Sequence, residues 1–518
     1  MLLAVPLLLV IAALLPTWRM ARLSAAGVMG LAAASFILFC VGGPLVLRGF
    51  GLPLGDAATL YLSVRVDALG STVLLLVSFI GWVITRYSQS YLGGDAGQVR
   101  YIRWLMATLA AVSLVVITNN LAVLAVAWLA TSSSLHQLLT FFSTRPAALI
   151  AAHKKFLASR LGDVCLFTGV ALIAIGVGSL EIDQVMAKTQ ALFTTPWVLQ
   201  LAVYLIVMSA LLKCAQLPVH GWLIQVMEAP TPVSALLHAG IVNLGGFLLI
   251  RLSPLVSDVS GAQTLLVVVG SLTAAVAALV MMTRISVKVT LAWSTCAQMG
   301  FMLMQCGLGA YDLALLHLVA HSLYKAHAFL AAGGAVEQAR LKAMSPPPAE
   351  LGLGMSVMGA ISGLAMVAVA GLMWGAQFDQ FPALWAMAGI VSLAISPLLT
   401  AQALRIGGLW PLALLAAAFG VAFAYFGLHH AFALWVDVPK SNANVNIFNI
   451  AWVMAFFALL FALQSLIRAR PHGSIATALY PWFYAGLYLD EWFTRLTFRI
   501  WPARLSTSPG SLASGVLK

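Results

Sequence analysis

Apolar windows of about 20 residues, the length that spans a hydrocarbon core, recur along almost the whole 518-residue chain. Hydrophobic residues make up 62% of it and charged residues 8%, a balance no soluble core requires. The expected fold class is therefore an all-α polytopic membrane protein. Candidate spans fall near 2–17, 24–47, 67–85, 101–118, 121–142, 161–178, 197–217, 233–253, 263–283, 287–308, 311–335, 355–375, 382–404, 409–428 and 446–467, about 15 transmembrane helices. The first, Met1 to Pro16, resembles a signal-peptide core. No positive segment precedes it and no small-residue cleavage site follows, so it reads as a retained span.

The net charge of +12 does not point to nucleic acid, because the basic residues are scattered through short connections rather than gathered in a stripe. Orientation explains them. With alternate connections assigned to alternate sides, one side holds fifteen Arg and Lys residues, among them Arg100, Arg103, Arg145, Lys154, Lys155, Arg284, Lys342 and Arg405; the other holds five, including Arg251 and Lys440. By the positive-inside rule the expected localisation is a bacterial inner membrane, multi-pass, with a periplasmic N-terminus and a cytoplasmic C-terminus. Cys40, Cys165, Cys214, Cys296 and Cys306 lie in or beside apolar segments with no paired metal-ligand spacing, and read as packing residues.

Three segments carry ionisable groups at or near membrane depth. The first is Lys213-Cys-Ala-Gln-Leu-Pro218, followed by Glu228-Ala-Pro230-Thr-Pro232. An ammonium inside a membrane costs roughly 2.5 to 3.5 kcal/mol on insertion scales. Pro218 removes a backbone donor and breaks the helix, so a polar cavity is favoured over a plain loop, with Pro230 and Pro232 opening the next span. The second is His317-Leu-Val-Ala-His321-Ser-Leu-Tyr-Lys325, three titratable groups four residues apart on one helical face. A water-bridged proton relay is weighed against packing; His327 lies off that face. The third runs from Arg145 to Asp163 through His153, Lys154, Lys155 and Arg160. Its default reading is a surface segment held by lipid phosphates. The alternative pairs Asp163 with Arg160 or Lys154 to gate proton access.

The run from Lys213 to Pro218, the proline-rich Glu228 to Ala239 motif, Ser294-Thr-Cys-Ala-Gln-Met-Gly300 and the spaced His317, His321 and Lys325 closely resemble the antiporter-like subunits of respiratory complex I and of multisubunit cation/proton antiporters. The resemblance covers about residues 60 to 340. It implies two inverted five-helix repeats with broken helices, and a proton path along the membrane midplane. Carried over by position, Lys213 is the lysine of the first broken helix, His238 a titratable site on the next span, and Lys288, His317, His321 and Lys325 the central relay. The implied organisation is N-terminal helices at 1–100, repeats at 101–253 and 254–405, C-terminal helices at 406–470 and a tail at 471–518.

Two positions depart from that pattern. Leu129 follows Trp128 where the family usually has glutamate, and Met355 to Phe378 contains no ionisable side chain where a later lysine is expected. The chain ends in an aromatic-rich stretch, Tyr480 to Trp501, read as a C-terminal cytoplasmic amphipathic helix that either lies among headgroups or docks a soluble partner through Trp482, Tyr488, Trp492 and Phe493. Together these features resemble the DabB-type membrane subunits of Dab inorganic carbon pumps. That resemblance implies a proton- or sodium-conducting subunit for uptake of CO2 or bicarbonate. Its partner would be a large cytoplasmic carbonic-anhydrase-like zinc protein of the DabA type that hydrates CO2. No zinc site, other metal site or cofactor is expected in this chain, and Glu228 and Asp163 would tune access. Two other classes fit the residues: a complex I or antiporter module, and a non-conducting membrane anchor for a soluble enzyme.

Overall fold

The structure, a computed structural model, describes residues 2–53, 59–192, 194–334, 340, 344, 352–377, 382–400, 410–436 and 446–501. Lys342, Arg405 and Lys440 of the charge argument, and Phe378, lie outside these residues.

Among the described residues, eleven helical stretches are long and apolar enough to cross a membrane, one of them the interrupted Thr231–Arg251. The chain opens with α1 (Ala4–Leu14) and α2 (Trp18–Gly42). An antiparallel hairpin follows, β1 (Leu45–Pro53) and β2 (Thr59–Val66), in the register Leu45 with Val66 and Leu47 with Val64. This hairpin is an element the sequence reading did not contain, and it shortens the second span, expected to reach residue 47, to Gly42. Next come α3 (Ala68–Tyr91), α4 (Gln98–Ile117), α5 (Leu121–Leu139) and α6 (Pro146–Val177). The helix starts follow from side-chain caps: Asp67 accepts from the Gly70 N–H at 2.7 Å, and Asn120 from the Ala122 N–H at 2.9 Å.

The short α7 (Ile182–Gln190) leads to α8 (Trp197–Lys213), which stops at the lysine. Fragments replace a continuous helix from there: α9 (Gly221–Gln225), α10 (Thr231–Ala239), a single 3-10 turn at Ile241–Asn243, and α11 (Leu244–Arg251). After α12 (Ser253–Ser257) come α13 (Ser260–Met281), α14 (Val287–Gly307) and α15 (Tyr311–Leu330). The remaining spans are α16 (Leu353–Met373), which is uninterrupted, α17 (Pro382–Ile395), α18 (Trp410–Trp435) and α19 (Ile447–Ala469). Two tail helices follow, α20 (Ser474–Tyr484) and α21 (Leu489–Ile500).

One apolar core joins α1 to α15, and a second cluster joins α13 and α14 to α16 through α19. The outer helices expose large apolar side chains such as Leu412, Leu434 and Leu459, the surface that lipid requires. At the α13–α14 crossing two glycines let the backbones touch. A Cβ at Gly270 would lie 2.5 Å from the Gly300 carbonyl, and one at Gly300 would lie 2.6 Å from the Gly270 carbonyl.

The ends of the bundle differ. At the hairpin end, Glu181 accepts from Ser63 at 2.9 Å, Asn119 at 3.1 Å and Asn120 at 3.2 Å, tying β2, α5 and the start of α7 together. There too Asp67 pairs with Arg65 at 2.6 Å and with Arg251. The opposite end carries Arg145, Glu228, Arg284 and the two tail helices.

The Arg145 to Asp163 stretch is a correction to the surface reading. It forms the first half of the 32-residue α6, and Lys154 and Lys155 are 0% and 3% exposed. The run looks basic, yet each lysine turns inward to a specific acceptor. The tail also differs from a single helix: Gly486, Leu487 and Tyr488 all have positive φ and turn the chain between α20 and α21. Phe493 is buried at 6% rather than presented for docking, whereas Trp482, Tyr488 and Trp492 are more than half exposed.

Candidate functional site

Lys213 ends α8 and therefore lies well inside the bundle, about 24 Å along the helix from Trp197. Its Nζ is 2.7 Å from Asp163 Oδ1, and Arg160 is 2.7 Å from Asp163 Oδ2. The carboxylate is 6% exposed and the ammonium 12%. One buried anion is thus shared by two partly exposed cations, the arrangement that compensates for removing the carboxylate from water. Lys213 also sits 5.4 Å over the Trp128 ring, a cation–π contact from α5. Of the two partners expected for Asp163, Arg160 is found; Lys154 is not, because it pairs with Asp490 at 2.6 Å.

Pro218 lies in the gap between α8 and α9, as the proline rule anticipates. Pro230 caps α10 and Pro232 occupies its first turn, where a missing N–H costs nothing. A further interruption, at Gly240 to Asn243, has no proline and was not anticipated. Beside it is a cavity of about 20 Å3, room for a water molecule. Lys155, Lys213, Ser132, Thr131 and Trp128 line it together with Ile241 and Val242. Lys155 donates to the Ser132 carbonyl at 2.5 Å and to its hydroxyl at 2.9 Å. Its role in the cavity was missed, since its neighbours Lys154 and His153 make the run look solvated. The Thr131-Ser-Ser-Ser134 polar patch, after the apolar first half of α5, was the available signal.

The groups of α15 form a second cluster. His317 and His321 have ring centroids 6.0 Å apart, the spacing expected for adjacent turns. His317 Nδ1 is 3.1 Å from Gln305 Oε1. Lys325, fully buried, donates to Ser294 Oγ at 2.5 Å and to the Leu291 carbonyl at 3.3 Å, so Ser294 of α14 is a partner the sequence reading did not assign. His327 is exposed. His238, in α10, is fully buried and stacks on Phe329 of α15 with centroids 4.5 Å apart. Among the described residues, neither ring nitrogen of His238 or of His321 has a hydrogen-bond partner.

Two expected members stand apart. Lys288 lies in the first turn of α14, half-buried, and donates to Thr231 Oγ1 at 2.9 Å, away from the bonds made by Lys325. Glu228 is exposed and pairs with Arg145 at 3.7 Å, an arrangement worth little in stability. Among the described residues no group of three or more His, Cys, Asp or Glu side chains has the geometry to hold a metal ion.

Residues 118–378 match the family described as NADH:quinone oxidoreductase/Mrp antiporter, TM, and residues 52–102 match NADH-Ubiquinone oxidoreductase (complex I), chain 5 N-terminus. The chain is 41% identical over 443 residues to the "Probable inorganic carbon transporter subunit DabB" of Hydrogenovibrio crunogenus, covering 85% of this chain and 84% of that one. It is 40% identical over 494 residues to DabB2 of Halothiobacillus neapolitanus, covering 94% and 89%. The chain belongs to the DabB family. Its fold is shared with a chain of the Mrp complex from Dietzia sp. (TM-score 0.58, 24% identity, 99% of this chain and 57% of that one). A chain of Thermus thermophilus respiratory complex I is similar too (TM-score 0.55, 20% identity, 94% and 99%). As a DabB-family member it is a membrane subunit of the carbon-uptake or antiporter-like kind, and its relatives are transporter subunits.

Proposed function

We propose that this chain is the proton-conducting, or sodium-conducting, membrane subunit of an inorganic carbon uptake complex. In this reading its cation current drives one-way hydration of CO2 in a soluble zinc partner of the DabA type. The observation that carries the reading is the Arg160–Asp163–Lys213 cluster, buried at a broken helix and opening on a water-sized cavity. An ion pair placed there for stability alone would be a poor choice, because desolvation cancels most of its attraction.

Lys213 holds the transported proton. When it gives the proton up, Asp163 remains neutralised by Arg160, so release does not strand a buried anion. Lys155, facing the same cavity, is the neighbouring site on one side. His238, His321, Lys325 and His317 continue the path between α10 and α15, bridged by water at the unpartnered imidazole nitrogens. Asp163 takes the place of the glutamate that Leu129 replaces. It comes from the next helix and reaches the same ammonium.

The excess of arginine and lysine supports a cytoplasmic position for the tail end of the bundle. There the exposed Trp482, Tyr488 and Trp492 provide the anchors for the partner. The test is growth of a carbonic-anhydrase-deficient host at ambient CO2, with the partner co-expressed. Lys213→Met, folded and inserted at wild-type levels, should not rescue growth. Full rescue would remove Lys213 from the mechanism.

A further inference from the structure

Asp490 enters the bundle from the tail, more than 300 residues after the helix it contacts. Its Oδ1 accepts from Lys154 Nζ at 2.6 Å, and its Oδ2 accepts from Gln225 Nε2 at 2.8 Å. The carboxylate occupies the space that a side chain at residue 221 would fill: a Cβ on Gly221 would lie 1.4 Å from Oδ1. Glycine there is what lets the tail acid reach the broken-helix segment. Lys154 is 0% exposed with the tail seated, so a neutral side chain at residue 490 would leave its ammonium buried and uncompensated.

The rest of the tail is placed to hold that contact. Phe493 packs inward with its ring 5.9 Å from Lys154 Nζ, and Trp501 stacks on His153 with centroids 4.0 Å apart and planes 8° from parallel. Arg284 lies 5.5 Å over the Tyr484 ring. On α6, Lys154 turns to the tail while the next residue, Lys155, turns to the cavity shared with Lys213. The contact with the tail and the lining of the cavity thus fall on adjacent residues of α6.

We propose that Asp490 is a detachable counter-charge for Lys154, a positioning residue that sets the electrostatics of the cavity through the seat of the tail on Gly221. Seated, it neutralises Lys154 and admits a cation toward Lys155. Lifted, it leaves a bare ammonium that repels one. The effect on flux rests on the ion-conducting reading above; the seat of the tail does not.

Two measurements on the full chain in lipid nanodiscs and proteoliposomes separate these parts. Asp490→Asn, and Gly221→Ala, which keeps every charge but displaces the carboxylate, should each speed amide hydrogen exchange over residues 489–500 by at least about tenfold. Both should slow cation flux by a similar factor. The double exchange Lys154→Asp with Asp490→Lys should restore both. Unchanged exchange in Asp490→Asn overturns the seat. Faster exchange with unchanged flux, in a preparation where Lys213→Met abolishes flux, overturns the counter-charge role. If neither wild type nor Lys213→Met conducts, the ion-conducting reading fails and the flux role of Asp490 falls with it. The exchange data still decide whether the carboxylate holds the tail.

Discussion

Because Asp163 serves two cations, removing it and removing Lys213 carry unequal costs. In Asp163→Asn, the Lys213 ammonium and the Arg160 guanidinium, each 2.7 Å from the lost carboxylate, face one another with Lys155 on the same cavity. Breaking a buried pair from one side costs about 3 to 5 kcal/mol. Arg160, 30% exposed, can turn toward solvent, so the lower figure of about 3 kcal/mol is expected. In Lys213→Met, Asp163 keeps Arg160, and the variant sheds an ammonium whose insertion cost is roughly 2.5 to 3.5 kcal/mol. The lost pairing roughly offsets that relief, and the net change should lie within about 1 kcal/mol of zero. The double variant should recover about 2 kcal/mol or more relative to Asp163→Asn alone, since the stranded charge is gone. Equilibrium unfolding in mixed micelles, read by near-ultraviolet circular dichroism across a series of SDS mole fractions, gives all three values. Additive effects in the double variant, or Lys213→Met as costly as Asp163→Asn, would refute the shared-anion argument.

Asp67 gives a pH-dependent prediction. Burial pushes its carboxyl upward, but Arg251 and Arg65 outweigh burial and hold it at about 2, below its ordinary 3.8. A depressed value means that the stabilisation, about 2 kcal/mol, is present above pH ~4 and is lost as pH falls from about 4 to about 2. Wild type and Asp67→Asn should therefore differ at pH 6 and converge near the acid end of an unfolding series; a constant gap would exclude the ion pairs as its source. Lys325→Met should abolish cation flux in proteoliposomes loaded with a pH-sensitive dye, and Ser294→Ala should reduce it, having lost one hydrogen bond of about 1 kcal/mol. Wild-type flux in Lys325→Met would place the relay elsewhere. Gly270→Val should lower thermal stability by about 1 to 3 kcal/mol or more, because the new side chain meets the α14 backbone at distances no rotamer relieves. A normal melting temperature would show that the two helices can separate freely.

About fifteen spans were expected and eleven stretches among the described residues are long and apolar enough to cross a membrane; those were legible because length is the least ambiguous signal a membrane sequence offers. The break after Lys213 was legible through Pro218. The interruption at Gly240 to Asn243 was not: its segment, Ala239-Gly-Ile-Val-Asn-Leu-Gly-Gly, contains no proline, and glycine is common within membrane helices. Leu60-Tyr-Leu-Ser-Val-Arg-Val66 alternates with a period of two, as a strand should, but its apolar content let it merge into the helical background. Lys154 and Lys155 were misplaced for a different reason. A basic run predicts solvent on average, and only tertiary contacts with Asp490 and Ser132 reveal that both ammoniums face inward. Asp490 itself lies far beyond the antiporter-like motifs, and no local pattern marks an acid that will fold back across the chain.

The depth at which α8 stops has an electrical consequence. Moving one elementary charge through the whole membrane is worth about 2.3 kcal/mol per 100 mV. Lys213 lies some 24 Å along its helix from Trp197, a large fraction of a hydrocarbon layer about 30 Å thick. In the proposed role, a proton reaching it from the hairpin end would cross the larger share of the voltage, roughly 1 to 2 kcal/mol per 100 mV. The occupancy of such a carrier would then vary with the energised state of the cell.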